Sequence, residues 1–209
     1  MNDAILIQIR PEQAAKTLNG EQTIIILKTA PKDWMDYLSG KTKKKPEPRT
    51  AYICCTKSSC EKLHKNKNGW FVNEMDTIFL DGVATEQEYN GKVVAKFVLN
   101  SIRPSHWSNA MAGSCLTPAQ INEYLKGKTE FYGWCVSDLV IFDEPKEIGQ
   151  FRSTSWCSPN NCFGCPIKEQ FYYHPNININ ENYEECEKQC LRWGLTRAPR
   201  SWMYVEELK

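Results

Sequence analysis

The stretch AILIQIRPEQAAKTLNGEQTIIILK, residues 4–28, decides the fold that the sequence predicts. The β-branched run at 5–10 is typical of a strand, and Pro11 then suits the first turn of a helix, where a missing N–H is tolerated. The Asn-Gly pair at 19–20 ends that helix. The second apolar run, 23–28, predicts a strand that is buried on both faces. The chain therefore begins with a strand, a short helix and a second strand.

Short strands and short helices continue along the chain. The clearest helix begins after Thr117, a good N-cap, has Pro118 in its first turn and ends at Gly127. Residues 57–90 are weakly patterned, and we expect long loops there. Many short strands with few helices favour an α+β fold built as a small mixed β-barrel. The other predicted elements are a helix at 31–40, strands at 50–56 and 91–102, a strand pair or one bent strand at 131–143, and a last strand within 197–208.

The charge of the chain is spread unevenly. Residues 1–68 hold 13 Lys/Arg against 7 Asp/Glu, whereas 69–209 hold 13 against 18. A basic half suits an anionic partner such as RNA or DNA, although lysines that only keep the surface soluble give the same pattern. No apolar run approaches the ~20 residues of a membrane-spanning helix, and the N-terminus lacks a secretory signal. We therefore expect a cytoplasmic protein without a membrane partner.

The order of these pieces resembles the ASCH domain family of the PUA-like superfamily, in its bacterial and phage type. The resemblance implies a PUA-like mixed β-barrel with short helices at its openings, and a cleft suited to RNA or a modified nucleobase. It divides the chain into an ASCH/PUA-like domain (1–152), a Cys-rich C-terminal insertion (153–196) and a closing strand (197–209). It rests on the unit at 4–28 and on AYICCT (51–56), GKVVAKF (91–97), TPAQINEYL (117–125), YGWCVSDLVIFDEPKEI (132–148) and RAPRSWMYVEEL (197–208).

The resemblance also bears on enzymatic activity. Some family members are enzymes, an amidohydrolase acting on acetylated cytidine and a ribonuclease among them, and members often line the cleft with a G-x-K-x-x-E-x-R motif. Here Gly20 is retained, but Gln22, Ile25 and Leu27 stand at the Lys, acid and Arg positions. Amide hydrolysis needs a base, and neither Gln nor Ile takes a proton. The sequence therefore favours RNA or nucleotide binding with no catalytic residue assigned; the alternatives are a nucleic-acid-processing enzyme of the same fold and a protein-interaction module.

Several cations and aromatic side chains are candidates for contact with a nucleic acid. Arg10 and Lys28 end the first two strands and could meet a phosphate at one rim of the barrel, although ordinary strand-end charges look the same. The basic loop at 41–49 could widen that surface. Trp107 lies in a polar loop, and Trp134 either stacks on a base or packs in the core. The predicted ligand-binding residues are Arg10, Gln22, Thr23, Lys28, Arg103, Trp107 and Trp134.

The ten cysteines suggest a second kind of site, since five of them crowd into the last quarter of the chain. Two close pairs about twenty residues apart suit one tetrahedral, structural zinc ion with four thiolate ligands. The alternatives are reduced cysteines packed against tryptophans, or disulfides. Cys157 is a spare candidate ligand and His174 a weaker one, and the insertion could also dock a protein partner. The predicted zinc ligands are Cys162, Cys165, Cys186 and Cys190.

Overall fold

The computed structural model describes residues 3–75, 89–154, 195 and 198–208. Three α-helices and ten strands form in these ranges, and the α+β class predicted from the sequence is confirmed. No helix in the described part of the chain is long and apolar enough to span a membrane. In chain order the elements are β1 (Asp3–Ile9), α1 (Pro11–Leu18), β2 (Ile24–Leu27), α2 (Lys32–Leu38), β3 (Arg49–Cys55), β4 (Glu61–Lys65), β5 (Phe71–Met75), β6 (Val93–Leu99), β7 (Ile102–Pro104), α3 (Pro118–Leu125), β8 (Tyr132–Cys135), β9 (Ser137–Lys146) and β10 (Trp202–Glu206).

The opening strand–helix–strand unit forms as the sequence predicts. Pro11 occupies the first turn of α1, and an ion pair of 2.7 Å joins Lys16 to Glu12 one turn earlier. The chain reverses after the helix at Gly20, whose φ of +77° is a conformation that glycine adopts without strain. All four residues of β2 are buried, as expected for a strand with apolar side chains on both faces.

Two sheets enclose the main core. The larger has the strand order β10-β1-β3-β6-β9, in which only β1 and β3 are parallel, and the smaller has the order β2-β8-β7. Ile7 and Phe97 of the larger sheet meet Ile25 and Trp134 of the smaller one, together with Trp34 from α2. The first helix unit and the strands of both sheets are thereby joined by one apolar cluster.

Further apolar layers cover the outer faces of both sheets. Leu6 and Tyr52 on the far face of the larger sheet pack with Phe151, which lies after β9. Ile26 on the far face of the smaller sheet packs with Leu125 of α3. Thr117 caps α3 as predicted, and the structure adds a reciprocal capping box with Gln120.

The described strands form three separate sheets rather than the closed barrel that the sequence predicts. The strands do not close into a barrel because two of the predicted strands are each divided between the two larger sheets. The segment 91–102 divides into β6 and β7, and the segment 131–143 divides into β8 and β9. Asp138, near the second break, has a φ of +50°, so the backbone turns sharply where the chain leaves the smaller sheet.

Residues 61–75 contradict the prediction of loops over 57–90, because β4 and β5 form an antiparallel hairpin. Leu63 and Phe71 are buried in the main core and supply the hairpin with an inner face. The side chain of Asn19 donates to the Phe71 carbonyl (2.7 Å) and accepts from the Phe71 amide (2.9 Å). Asn73 pairs with Leu63 and Lys65 pairs with Phe71 on the same face, so the sequence lacks the clean alternation that marks a strand.

Candidate nucleic-acid interface

An open groove of about 840 Å³ lies between α2, the basic loop at 41–48 and the first residues of β3. Lys43, in the same loop, is exposed but does not line the groove. Ammonium groups suit phosphate oxygens, and carboxylates accept hydrogen bonds from sugar hydroxyls, so the groove holds groups for both parts of a nucleotide backbone. Its cations are Lys41, Lys44, Lys45 and Arg49, and its carboxylates are Asp3, Asp33, Asp36, Glu47 and Glu207.

The lysines of this groove are loosely held. Lys41 lies 3.7 Å from Asp36, and Lys44 lies 4.0 Å from Glu47, with both lysine side chains largely exposed. Exposed ion pairs of this kind contribute only about 0–1 kcal/mol. The ammonium of Lys45 lies 6.0 Å from the ring centre of Trp34. These cations can therefore exchange their present partners for a phosphate at little cost.

Arg49 is held much more firmly than the lysines. Its Nη2 lies 2.6 Å from Asp33 Oδ2, and its guanidinium lies 5.8 Å from the ring centre of Tyr204. Partial burial opposes the charged form, but the hydrogen bond and charge of Asp33 outweigh it and raise the pKa of Arg49. Burial, followed by the charge of Asp33, also raises the pKa of Tyr204. A hydrogen bond with the Tyr204 side chain adds to the effect of Asp33 on Arg49, so the guanidinium is held from two sides.

A second groove, of about 500 Å³, lies on the other side of α2, against the ends of β7 and β8. Asp36 and Lys41 line both grooves, which are therefore adjacent. The second groove has aromatic walls that the first lacks, from His106 and Tyr132 together with Phe131. Flat rings beside a lysine are the groups that hold an unpaired base next to its phosphate.

Lys28 contacts Tyr124, a residue of α3, and the charge of Arg10 acts on the same side chain. The Lys28 ammonium lies 4.8 Å from the ring centre of Tyr124. Burial raises the pKa of Tyr124, while a hydrogen bond from the Lys28 backbone and the positive charge of Arg10 oppose that rise. The two strand-end cations therefore lie near one tyrosine. Their contact with a phosphate stays a prediction.

Arg103 lies in β7, and Trp107 lies in the loop that follows it. The Arg103 Nη1 donates to the Asn109 carbonyl (3.1 Å), so this cation fixes the loop. Trp107 is 44% exposed, and its ring meets His106 edge-on at 6.5 Å. The indole lies beside the second groove through His106 and is accessible to a ligand.

No family model and no curated protein matches the chain. Two solved structures, both of ASCH proteins from Zymomonas mobilis, are similar to it. The crystal structure of the ASCH protein is 12% identical, covers 98% of this chain and 88% of its own, and has a TM-score of 0.42. The crystal structure of a Tyr-to-Phe mutant of ZmASCH is 14% identical, covers 69% of this chain and 76% of its own, and has a TM-score of 0.43. Both identity and TM-score are low, and the functional argument rests on the chain's own residues.

Three predicted ligand residues lie near β2 and β8 and differ in exposure. Gln22 is 1% exposed, and its Nε2 donates to the Ile24 carbonyl (3.0 Å). Trp134 is fully buried, and its Nε1 donates to the Thr29 carbonyl (3.3 Å). Their burial favours a packing role for both side chains. Thr23 is exposed, and its backbone amide donates to the Gly113 carbonyl.

The sequence prediction missed two tyrosines: Tyr124, which contacts Lys28, and Tyr132, which lines the second groove. Tyr124 follows Ile121 by three residues and precedes Leu125 on the same face of α3, so helical periodicity could have found it. Tyr132, at the start of β8, pairs with Leu27 of β2, which is distant in sequence. This pairing places Tyr132 in the second groove. No local pattern signals such a neighbour.

The predicted zinc ligands Cys162, Cys165, Cys186 and Cys190 lie outside the described residues, as do Cys157 and His174. Within the described ranges, no group of three or more His, Cys, Asp or Glu side chains is placed to hold a metal ion. Burial raises the pKa of Cys54 and of Cys55 to about 12. Both thiols are therefore protonated at neutral pH and unsuited to nucleophilic attack.

Proposed function

We propose that the chain is an RNA- or nucleotide-binding protein of the ASCH/PUA-like type, and that a single strand lies across the two adjacent grooves beside α2. One observation supports this most directly: Asp36 and Lys41 line both grooves. A ligand can therefore run from the lysine-lined groove to the aromatic one without leaving the surface. The phosphates would lie along the first groove and a base in the second.

The chemistry of each groove supports this division. The lysines at 41, 44 and 45 are exposed point charges, which suit a flexible backbone better than a fixed small ligand. Arg49 is the fixed member of the set, because Asp33 and Tyr204 hold its guanidinium at the wall of the groove. In the second groove, Tyr132 and His106 offer ring faces, while Glu130 can accept hydrogen bonds from a base.

Lys41 provides a sharp test, because Lys43 is a matched control two residues away that lines neither groove. Lys41→Glu and Lys43→Glu change the net charge equally. At about 0.15 M salt the Debye length is only ~8 Å, so a lysine acts mainly on a phosphate close to it. We expect Lys41→Glu to weaken binding of a labelled single-stranded RNA at least about tenfold, and Lys43→Glu to change it far less. Fluorescence anisotropy measures both, and equal losses would contradict the proposed path.

The enzymatic alternative is tested by recovering the RNA after it has been incubated with the protein in the binding assay. Family resemblance suggests ribonuclease or amidohydrolase chemistry on a nucleic acid, and a binding protein without that chemistry returns its RNA unchanged. Gel analysis of RNA recovered from the complex measures strand cleavage, and mass spectrometry of acetylated cytidine measures deacetylation. Turnover that is abolished by Asp33→Asn or Arg49→Gln would favour the enzyme over the binding protein.

A further inference from the structure

The tip of the β4–β5 hairpin is a fixed turn. Asn66 Oδ1 accepts hydrogen bonds from the amides of Asn68 and Trp70, both at 3.0 Å. The Asn66 amide donates to the Trp70 carbonyl (2.8 Å), and Gly69 supplies the positive φ of +83° that closes the turn. These bonds hold the backbone of Trp70 in one position at the end of the hairpin.

Trp70 presents its indole to solvent. Its side chain is 55% exposed, more than any other large apolar side chain in the described ranges. The next residue, Phe71, points inward and is nearly buried against Tyr89, and successive strand residues face opposite sides. Within the described part of the chain, no aromatic ring stacks on Trp70. The indole of Trp70 therefore remains exposed to solvent, although the next side chain, that of Phe71, packs in the core.

The surroundings of Trp70 are strongly basic. Residues 57–75, which include the whole hairpin, contain four lysines and two carboxylates, those of Glu61 and Glu74, both in positions at the open end of the hairpin. Lys65 and Lys67, at the end of β4 and in the turn, are both exposed. The Lys65 ammonium lies 5.6 Å from the ring centre of Phe71, its cross-strand partner. The Lys65 side chain also passes close to Gly69, within the turn that precedes Trp70. The other two lysines of this hairpin region are Lys57 and Lys62.

We propose that the hairpin tip is a second binding site for single-stranded nucleic acid, in which Trp70 stacks on an unpaired base while Lys65 and Lys67 contact the adjacent phosphates. An indole flanked by cations, with both acids of the hairpin at its other end, is complementary to a base flanked by phosphates. A membrane or protein partner would favour several apolar side chains, and the tip offers one. The proposal rests on the proposed function for its ligand class and uses a different surface.

The hairpin and the first groove lie at opposite ends of β1. The hairpin packs on α1, which follows the strand, while Asp3 at the start of the strand lines the groove. The seven residues of β1 span about 20 Å. A long single strand could contact both surfaces, whereas a short one could occupy one of them.

Substitutions at Trp70 test the stacking. Loss of one base stack weakens binding by about 5- to 150-fold, so Trp70→Ala should lose affinity within this range for a single-stranded RNA of about 16 nucleotides. Trp70→Phe should recover most of that loss, because the ring face remains. Lys65→Gln with Lys67→Gln should reduce the slope of log K against log salt by about 1.4. Unchanged thermal unfolding of each variant shows that the fold is kept.

The outcomes separate this site from the grooves beside α2. If Trp70→Ala binds RNA as the wild type does while Lys41→Glu does not, the hairpin site is wrong and the proposed function stands. If Trp70→Ala alone loses binding, the hairpin site stands and the path beside α2 is wrong. If the wild type fails to bind RNA at low salt, both are wrong. Trp70-dependent binding to vesicles of phosphatidylcholine and phosphatidylserine, with RNA binding unaffected, would overturn the hairpin proposal in favour of a membrane surface.

Discussion

The loop lysines give the most quantitative prediction for the grooves beside α2. We expect the triple substitution Lys41→Gln, Lys44→Gln and Lys45→Gln to remove most of the salt dependence of RNA binding that arises in the first groove. All three side chains are exposed, line the groove and have at most distant ion-pair partners. Their charges are therefore available to phosphates. Arg49 is left intact because its pair with Asp33 also stabilises the fold.

The size of the effect follows from counterion release. Each phosphate contact on a single strand adds about 0.7 to the slope of log K against log salt, so three contacts contribute about 2. Between about 50 and 200 mM salt, wild-type affinity should then fall roughly 20-fold further than that of the triple variant. Anisotropy titrations at several salt concentrations measure both slopes.

A matched triple variant controls for net charge. Lys43→Gln, Lys146→Gln and Arg152→Gln remove the same three charges away from the grooves. The Lys146 ammonium lies over Phe142, in the apolar layer on the far face of the larger sheet. This control should keep a slope within about 0.7 of the wild type, the contribution of one contact. If both triple variants lose the same slope, the lysines act through net charge alone and the reasoning from the groove is refuted.

Four further predictions concern stability and metal content. Trp134→Ala should lower the free energy of unfolding by about 3–5 kcal/mol, whereas Trp107→Ala, at an exposed site, should change it by less than about 0.5 kcal/mol; denaturant titrations measure both, and similar values would contradict the burial of Trp134. Thr117→Ala should cost about 1 kcal/mol in the same assay, and Thr117→Ser should restore most of it because Ser caps equally well. Burial raises the pKa of Cys54 and Cys55 from 9.0 to about 12. Unfolded thiols lose protons from about pH 9 while the folded ones keep them, so stability should fall between pH 9 and 12, and less steeply in the Cys54→Ala, Cys55→Ala variant. Metal analysis should find about one zinc ion per chain, with a lower melting temperature after chelation; a content near zero would exclude the site formed by Cys162, Cys165, Cys186 and Cys190.

The local elements could be predicted because their signals are local. Pro11 and Gly20 mark both ends of the α1 unit, and Thr117 with Gln120 makes the capping box of α3. Each signal depends on residues within a few positions, where backbone preference and side-chain capping act directly. The strand at 91–102 was predicted, but its break after Leu99 has no strong local marker.

The sheets and grooves could not be predicted because they depend on contacts between distant residues. Tyr132 reaches the second groove only through its pairing beside Leu27, and Arg49 becomes fixed only where Asp33 and Tyr204 meet it. The hairpin is a different case, because Asn68-Gly69, a standard hairpin dipeptide, does mark its turn. It was missed because Asn73 and Lys65 pair with Leu63 and Phe71, so the flanking strands show no clean alternation of apolar and polar residues. For the sheets and grooves, tertiary contacts add information that a window of sequence lacks.

The apolar residues of β2 explain why the candidate site lies on the surface. At the positions where the resemblance implies an acid and an Arg, Ile25 and Leu27 are buried in the main core with Trp34 and Trp134. Charged side chains at these positions would need oppositely charged partners inside the protein. Burial of each apolar side chain instead contributes about 1.5–3 kcal/mol to the stability of the folded state. Trp34 belongs to α2, so the same core anchors the helix that carries Asp36 and the loop that carries Lys41. The apolar side chains of β2 therefore also stabilise the helix beside which both grooves lie, and the polyanion binding that we propose uses the lysines on its outer side.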